Sequence, residues 1–170
     1  IYVTGNLGDS YLGLKALSNK AKFKNKDKLF FVDKYYKPEL PLNLTKYLLK
    51  FANSSIDVSD GLIDDLKKMI NRQSLSFHLF ENKIPVSNKL SNLIKKQRLN
   101  KINLISNGDD YQVLFTADIK KARIIQKASK TTGIKITKIG KIVSGKDRSL
   151  IFDEKGKQIR AKSKGYIHRF

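Results

Sequence analysis

Acidic side chains are scarce in this sequence, and six of its fifteen Asp and Glu residues fall in two short segments. The first holds Asp57, Asp60, Asp64 and Asp65, the second Asp109 and Asp110. Two carboxylates about 4 Å apart repel by about 4 kcal/mol at an effective dielectric of about 20. Gathering acids inside a chain of net charge +20 therefore suits a site that a cation or a cationic ligand completes. Asp57-Val58-Ser59-Asp60-Gly61 sits where a strand hands over to a helix. Alternation along the strand sends Asp57 and Ser59 to one side, and the turn at Gly61 brings Asp60 round towards them. Oxygen donors on a turn are what Mg²⁺ takes, one or two carboxylates with the shell completed by water and substrate phosphate. The N–H groups opening the next helix add positive potential where a phosphate would sit. The same residues also read as an ordinary helix start, with Ser59 as N-cap and Asp60 in the first turn.

Asn107-Gly108-Asp109-Asp110-Tyr111 is a second acidic turn, able to hold a cationic group or simply to reverse the chain. Thr4-Gly5-Asn6-Leu7-Gly8-Asp9-Ser10 is a glycine turn opening a helix, and its amides could cradle phosphate. It lacks the Lys-Ser/Thr end of a P-loop and the three-glycine spacing of a dinucleotide fingerprint. His78 lies in an apolar strand and reads as a packed or surface histidine rather than a ligand, and His168 stands near the C-terminus. No Ser/His/Asp set or His/carboxylate metal cluster can be assembled, so no catalytic nucleophile or base is assigned. The absence of cysteine excludes disulfides and thiol-bound zinc or iron–sulfur centres.

The charge invites a nucleic-acid reading, since basic side chains neutralise phosphates. Of the 35 basic residues, however, 29 are Lys and 6 are Arg, spread along the whole length. Base-edge and phosphate-fork recognition favour Arg geometry, so a solvated lysine-rich surface is expected and nucleic acid is not the expected partner. With 40% hydrophobic and 9% aromatic residues the chain builds a real core rather than a disordered tail. No apolar run approaches the roughly 18 residues that span a bilayer, and a soluble, cytoplasmic protein without membrane contact is expected. The chain opens inside what looks like a strand, Ile1-Tyr2-Val3-Thr4, and we expect an N-terminal portion to precede it.

The elements that must position these segments follow from periodicity. Strands are expected at 1–5, 54–58, 75–80, 111–116, 134–143 and 148–152, and helices at 9–18, 44–51, 62–70, 87–97 and 119–131. Leu62, Ile63, Leu66, Met69 and Ile70 make one apolar stripe at helical spacing, and Gly133 reads as the glycine beyond a helix end. The stretch from Lys20 to Lys28 is expected to be a surface loop, and Leu104 to Asp110 a strand running into a turn. Strands alternating with helices argue a two-layer α/β (α+β) domain with a mixed sheet flanked by helices.

Taken together and in order, these segments resemble thiamine-monophosphate kinases, within the wider superfamily of aminoimidazole-ribonucleotide synthetase-like ATP enzymes. The matching residues are 3–10 (Val-Thr-Gly-Asn-Leu-Gly-Asp-Ser) and 55–62 (Ser-Ile-Asp-Val-Ser-Asp-Gly-Leu) with Asp65-Leu66. They continue with 84–87 (Ile-Pro-Val-Ser), Gly108-Asp109-Asp110-Tyr111, 114–116, 139–142 and 165–168 (Gly-Tyr-Ile-His). The resemblance spans nearly the whole chain but only the C-terminal half of the family's length. It implies residues 1–170 are a C-terminal domain with that superfamily's fold, lacking an N-terminal domain that carries further metal ligands, most of the nucleotide site and the homodimer interface. It implies ATP-dependent phosphorylation of thiamine monophosphate to thiamine diphosphate with Mg²⁺, and a fragment inactive alone. On that pattern Asp57 and Asp60 are Mg²⁺ ligands, Ser59 contacts ATP, and Asp109 and Tyr166 contact thiamine monophosphate. A carboxylate and an aromatic face suit a cationic thiazolium ring. The family carries two glycines before the acidic pair, where this chain has Asn107 first, and ends His-Phe directly, where Arg169 intervenes. The alternatives are another ATP-dependent enzyme of the superfamily, or a basic nucleic-acid-binding module.

Overall fold

The structure, a computed structural model, describes residues 1–21, 23–71 and 73–160. Among the described residues, eight strands form two four-stranded sheets with seven α-helices around them. In chain order the elements are β1 (Tyr2–Thr4), α1 (Asp9–Leu17), α2 (Asn25–Tyr36), α3 (Thr45–Phe51), β2 (Ser54–Asp57), α4 (Leu62–Met69), β3 (Leu75–Phe80), α5 (Asn88–Gln97), α6 (Lys101–Ile105), β4 (Val113–Thr116), α7 (Ala122–Thr132), β5 (Ile136–Lys138), β6 (Gly140–Ser144), β7 (Leu150–Phe152) and β8 (Gln158–Ile159). The first sheet has the order β2-β4-β1-β5 and is wholly antiparallel; the second runs β6-β3-β7-β8, with β3 and β7 parallel. The expected mixed α/β architecture is present, with its strands divided between two sheets. No helix among the described residues is long and apolar enough to cross a membrane.

Strand alternation decides which core each side chain joins. Val3 and Leu114 point into the main core between the sheets and α4, with Leu62, Leu66, Phe77, Leu79 and Ile151. Their neighbours Tyr2 and Phe115 point to the other face, stacked at 5.3 Å, and pack under α3 and α7 on Phe51, Leu44 and Ile125. Burying a ring such as Phe115 completely contributes about 1.5–3 kcal/mol, so each face of this short sheet is anchored. The α4 stripe read from sequence is the buried face of the helix: Leu62, Ile63 and Leu66 are in the core.

Besides the added strand β8 at the chain's described end, three elements differ from the reading of the sequence. The lysine-rich stretch is helical from Asn25 onward because α2 buries Phe31 against Leu12 and Leu90. Lysine is a good helix former whose charge stays in water. Gly13 allows the contact, since a Cβ there would stand 2.2 Å from the Phe31 carbonyl oxygen. Residues 101–105 are helix α6 rather than strand: the Asn100 side chain accepts the Asn103 N–H at 2.9 Å as an N-cap, and Ile102 and Ile105 share the buried face. The expected strand 134–143 breaks at Ile139, whose N–H donates to the Ile1 carbonyl and whose carbonyl accepts from Phe80. One part pairs in the first sheet and the other in the second.

Candidate functional site

Three loops meet at one end of the first sheet because of its strand order. β4 lies between β1 and β2 and is antiparallel to both, so the loops leaving β1 and β2 and the loop entering β4 share that end. Asp57, the last residue of β2, pairs with Val113, the first of β4. Residues 58–61 and 107–112 are therefore forced side by side, and backbone hydrogen bonds lace them into a seam. The Asp109 N–H donates to the Ser59 carbonyl at 3.0 Å, the Tyr111 N–H to the Val58 carbonyl at 2.9 Å, and the Val58 N–H to the Gln112 carbonyl at 2.8 Å. Gly108 lies against the seam, and a Cβ there would stand 1.6 Å from the Ser59 carbonyl oxygen.

The two acidic segments thus become one cluster. Asp109 and Tyr111 take left-handed backbone, with φ of 66° and 50°, uncommon for residues with side chains. Asp109 is half-buried; burial and then the Asp60 charge push its carboxyl above the ordinary range. The Tyr111 ring is 39% exposed, and its phenol is raised by burial first and then by the charges of Asp109 and Asp57. Asp110, by contrast, is buried. Its carboxylate accepts the Gly8 N–H at 2.8 Å and a Ser10 backbone N–H, and burial pushes it well above the usual carboxylate range. Of the glycine-turn amides considered for phosphate, that of Gly8 is therefore taken by Asp110, while those of Gly5 and Leu7 donate to the Lys135 and Pro85 carbonyls.

Asp65 organises the loop after β2. The Ser59 N–H donates to its Oδ2 at 3.0 Å, the Asp60 N–H at 2.9 Å and the Gly61 N–H at 3.0 Å. The alternative reading of Ser59 as N-cap does not hold: Gly61, at φ 121°, is the N-cap of α4, with no side chain bonded at the cap. Lys68, one helical turn on, donates to Asp65 Oδ1 at 3.0 Å and pairs with Asp60. Its ammonium pKa is raised chiefly by the bond to Asp60.

Asp57 is exposed and Ser59 and Asp60 are half-buried at the seam. Among the described residues no three His, Cys, Asp or Glu side chains converge closely enough to hold a metal by themselves. Two carboxylates with no soft donor do suit a hard cation that takes one or two protein ligands and finishes its shell with water and phosphate. Tyr166 and His168 lie outside the described residues. His78 packs edge-on against Phe152 at 5.3 Å, one of the two placements expected of it.

Behind the seam lies a cavity of about 460 Å³ walled by Asn6, Asp9, Lys34, Ser87, Asp110 and Gln112. The Ser87 hydroxyl donates to Asp9 Oδ1 at 2.7 Å and accepts the Leu90 N–H at 3.1 Å, capping α5. Burial outweighs the pull of Ser87 and Lys34 and raises the Asp9 carboxyl to about 6. Gln112 accepts from the Thr4 hydroxyl at 2.8 Å and donates to the Glu39 carbonyl at 2.8 Å, tying β1 to the chain after α2. The anchoring roles of Asp65, Asp9 and Gln112 were not read from sequence. Asp65 and Asp9 each left a signal there, as an acid in the first turn of a helix that follows a glycine.

No family model matches the chain. Curated relatives do: thiamine-monophosphate kinase of Buchnera aphidicola subsp. Schizaphis graminum is 35% identical over 170 residues, which is 99% of this chain and 52% of that protein. A solved structure, AaThiL complexed with AMPPCP and TMP, is 28% identical with a TM-score of 0.75, covering 99% of this chain and 50% of its own. The hydrogenase maturation protein HypE of Escherichia coli, at 14% identity and a TM-score of 0.70 over 94% of this chain and 48% of its own, shares the fold alone. The chain spans about half the length of the curated relatives it matches. By sequence and by fold together, it is similar from end to end to about half the length of thiamine-monophosphate kinases.

Proposed function

We propose that the protein containing this chain transfers the γ-phosphate of ATP to the phosphate of thiamine monophosphate, giving thiamine diphosphate. This chain supplies one part of a composite site whose remainder comes from an N-terminal domain, which also carries the interface of a homodimer. The observation that carries the reading is the seam, which brings Asp57, Ser59 and Asp60 against Asp109 at one end of the first sheet. The relative complexed with AMPPCP, an ATP analogue, and TMP supports it.

In this reading Asp57 and Asp60 hold Mg²⁺, Ser59 contacts the nucleotide, and Asp109 and Tyr166 receive the cationic substrate. Bound Mg²⁺ supplies charge neutralisation on the phosphates, where phosphoryl transfer needs alignment and electrostatics more than covalent help. Asp60, held beside Lys68, and Asp57, at the end of β2, are fixed by backbone rather than by long arms, so their geometry exists before ligand arrives. Asp109, its carboxyl raised by burial and then by Asp60, has that upward push opposed by a cation settling beside it. A cytoplasmic location goes with ATP as donor.

The test is transfer of labelled γ-phosphate by the whole protein and by residues 1–170 alone, over a panel of phosphorylated and carboxylated acceptors. Labelled thiamine diphosphate from the whole protein, with none from the 170-residue piece, is expected. Transfer to a different acceptor, or none, overturns the reading.

A further inference from the structure

We infer that Asp65 is a positioning residue for the metal-binding loop, and that it acts through the backbone of Ser59, Asp60 and Gly61 rather than as a ligand. This rests on the proposed placement of Mg²⁺ at Asp57 and Asp60. Asp65 is 1% exposed, and one of its oxygens takes three consecutive backbone N–H bonds, at 3.0, 2.9 and 3.0 Å. Charge-assisted bonds of this kind are roughly twice as strong as neutral ones. The other oxygen is held by Lys68 at 3.0 Å, so both oxygens of Asp65 are committed within the protein.

The consequence is geometric. Between β2 and α4 the chain must turn through Ser59-Asp60-Gly61, and three amides converging on one point fix that turn. The Ser59 residue fixed on its N–H side by Asp65 is bonded on its carbonyl side to the Asp109 N–H. A single buried carboxylate therefore sets where Asp60 stands relative to Asp57 and holds the loop against the second acidic turn. Lys68 adds a second tether, joining Asp65 to the side chain of Asp60. Asp65, in the same acidic segment as the assigned ligands, is thereby excluded from the ligand set and assigned to holding it.

The test uses the whole protein as wild type, Asp65→Asn and Asp65→Ala. Asn keeps an acceptor oxygen but loses the charge, and Ala loses both. Amide hydrogen exchange at residues 59–61 reports the loop directly, whatever the substrate proves to be. Mg²⁺ half-saturation of turnover, Mn²⁺ binding by electron paramagnetic resonance and KM for thiamine monophosphate report its use. We expect exchange at 59–61 to accelerate and metal half-saturation to rise by about 10–100-fold, the usual effect of removing a supporting partner. The order is Ala beyond Asn beyond wild type, while KM for thiamine monophosphate moves less than about 3-fold. Should Asp65→Ala fail to fold, Asp65→Asn carries the comparison alone. Faster exchange with unchanged Mg²⁺ and Mn²⁺ dependence means a purely structural residue and overturns the proposal, as does unchanged exchange. Failure of the wild type to phosphorylate thiamine monophosphate, with Mn²⁺ binding still weakened by Asp65→Asn, would sink the substrate assignment and leave this inference standing.

Discussion

The Asp109 N–H donates to the Ser59 carbonyl at 3.0 Å across a gap of fifty residues, and Gly108 fills the space beside that bond without a side chain. This contact joins the acidic loop after β2 to the one before β4. It turns two unremarkable chain reversals into a single charged surface.

Gly108→Ala should therefore break the seam. A methyl placed 1.6 Å from the Ser59 oxygen must displace backbone, beyond the roughly 1–3 kcal/mol of ordinary overpacking. Urea unfolding should show a loss of about 3 kcal/mol or more. A loss under about 1 kcal/mol would mean the loops are not locked together as described.

Asp109→Asn separates charge from shape. Asn tolerates the left-handed backbone that Asp109 adopts, so the turn survives while the carboxylate is lost. Relief of repulsion with Asp60 leaves stability equal or slightly higher. KM for thiamine monophosphate should rise by more than KM for ATP in steady-state kinetics of the whole protein. The reverse pattern would assign Asp109 to the nucleotide.

Asp9 makes stability depend on pH in a defined window. Its carboxyl moves from an ordinary 3.8 to about 6 in the folded chain, mainly by burial. A raised acid binds a proton in the native state that the unfolded chain lacks. Its penalty, about 3 kcal/mol when both states are ionised, is full above pH 6 and fades as pH falls towards 4. Asp9→Asn removes that dependence while keeping an acceptor for Ser87. Chemical denaturation at pH 7 and pH 5 should show wild type gaining about 1 kcal/mol relative to the variant at the lower pH. Parallel behaviour of the two proteins would contradict a buried, raised Asp9.

The elements dictated by their own local pattern were legible in the sequence: β1, β2, β3, β4 and β7, and helices α1, α3, α4, α5 and α7. Helix α6 escaped because five residues are too short for a stripe to show, and α2 because its lysines masked the buried Phe31. The strand broken at Ile139 reads as one run locally, since which sheet each part joins is decided by β1 and β3. The acidic segments stood out through scarcity of negative charge. Their meeting was invisible, because it depends on Asp57 pairing with Val113, a long-range register that no local pattern encodes. Likewise nothing in the sequence distinguishes Asp109 at the surface of the seam from Asp110 buried on the Gly8 amide. That division follows from left-handed backbone at Asp109 and Tyr111.

The most direct test of the seam as a phosphoryl-transfer site is the Mg²⁺ dependence of turnover in the whole protein carrying Asp57→Asn or Asp60→Asn. Asp57 is exposed, and Asp60 gives up only a partly solvated pair with Lys68, worth about 0–1 kcal/mol, so folding should be nearly unchanged. The rate should fall by more than the roughly 10–100-fold that losing a mere supporting partner costs, with Mg²⁺ half-saturation shifted upward. Wild-type rates with unaltered Mg²⁺ dependence in both variants would contradict the account.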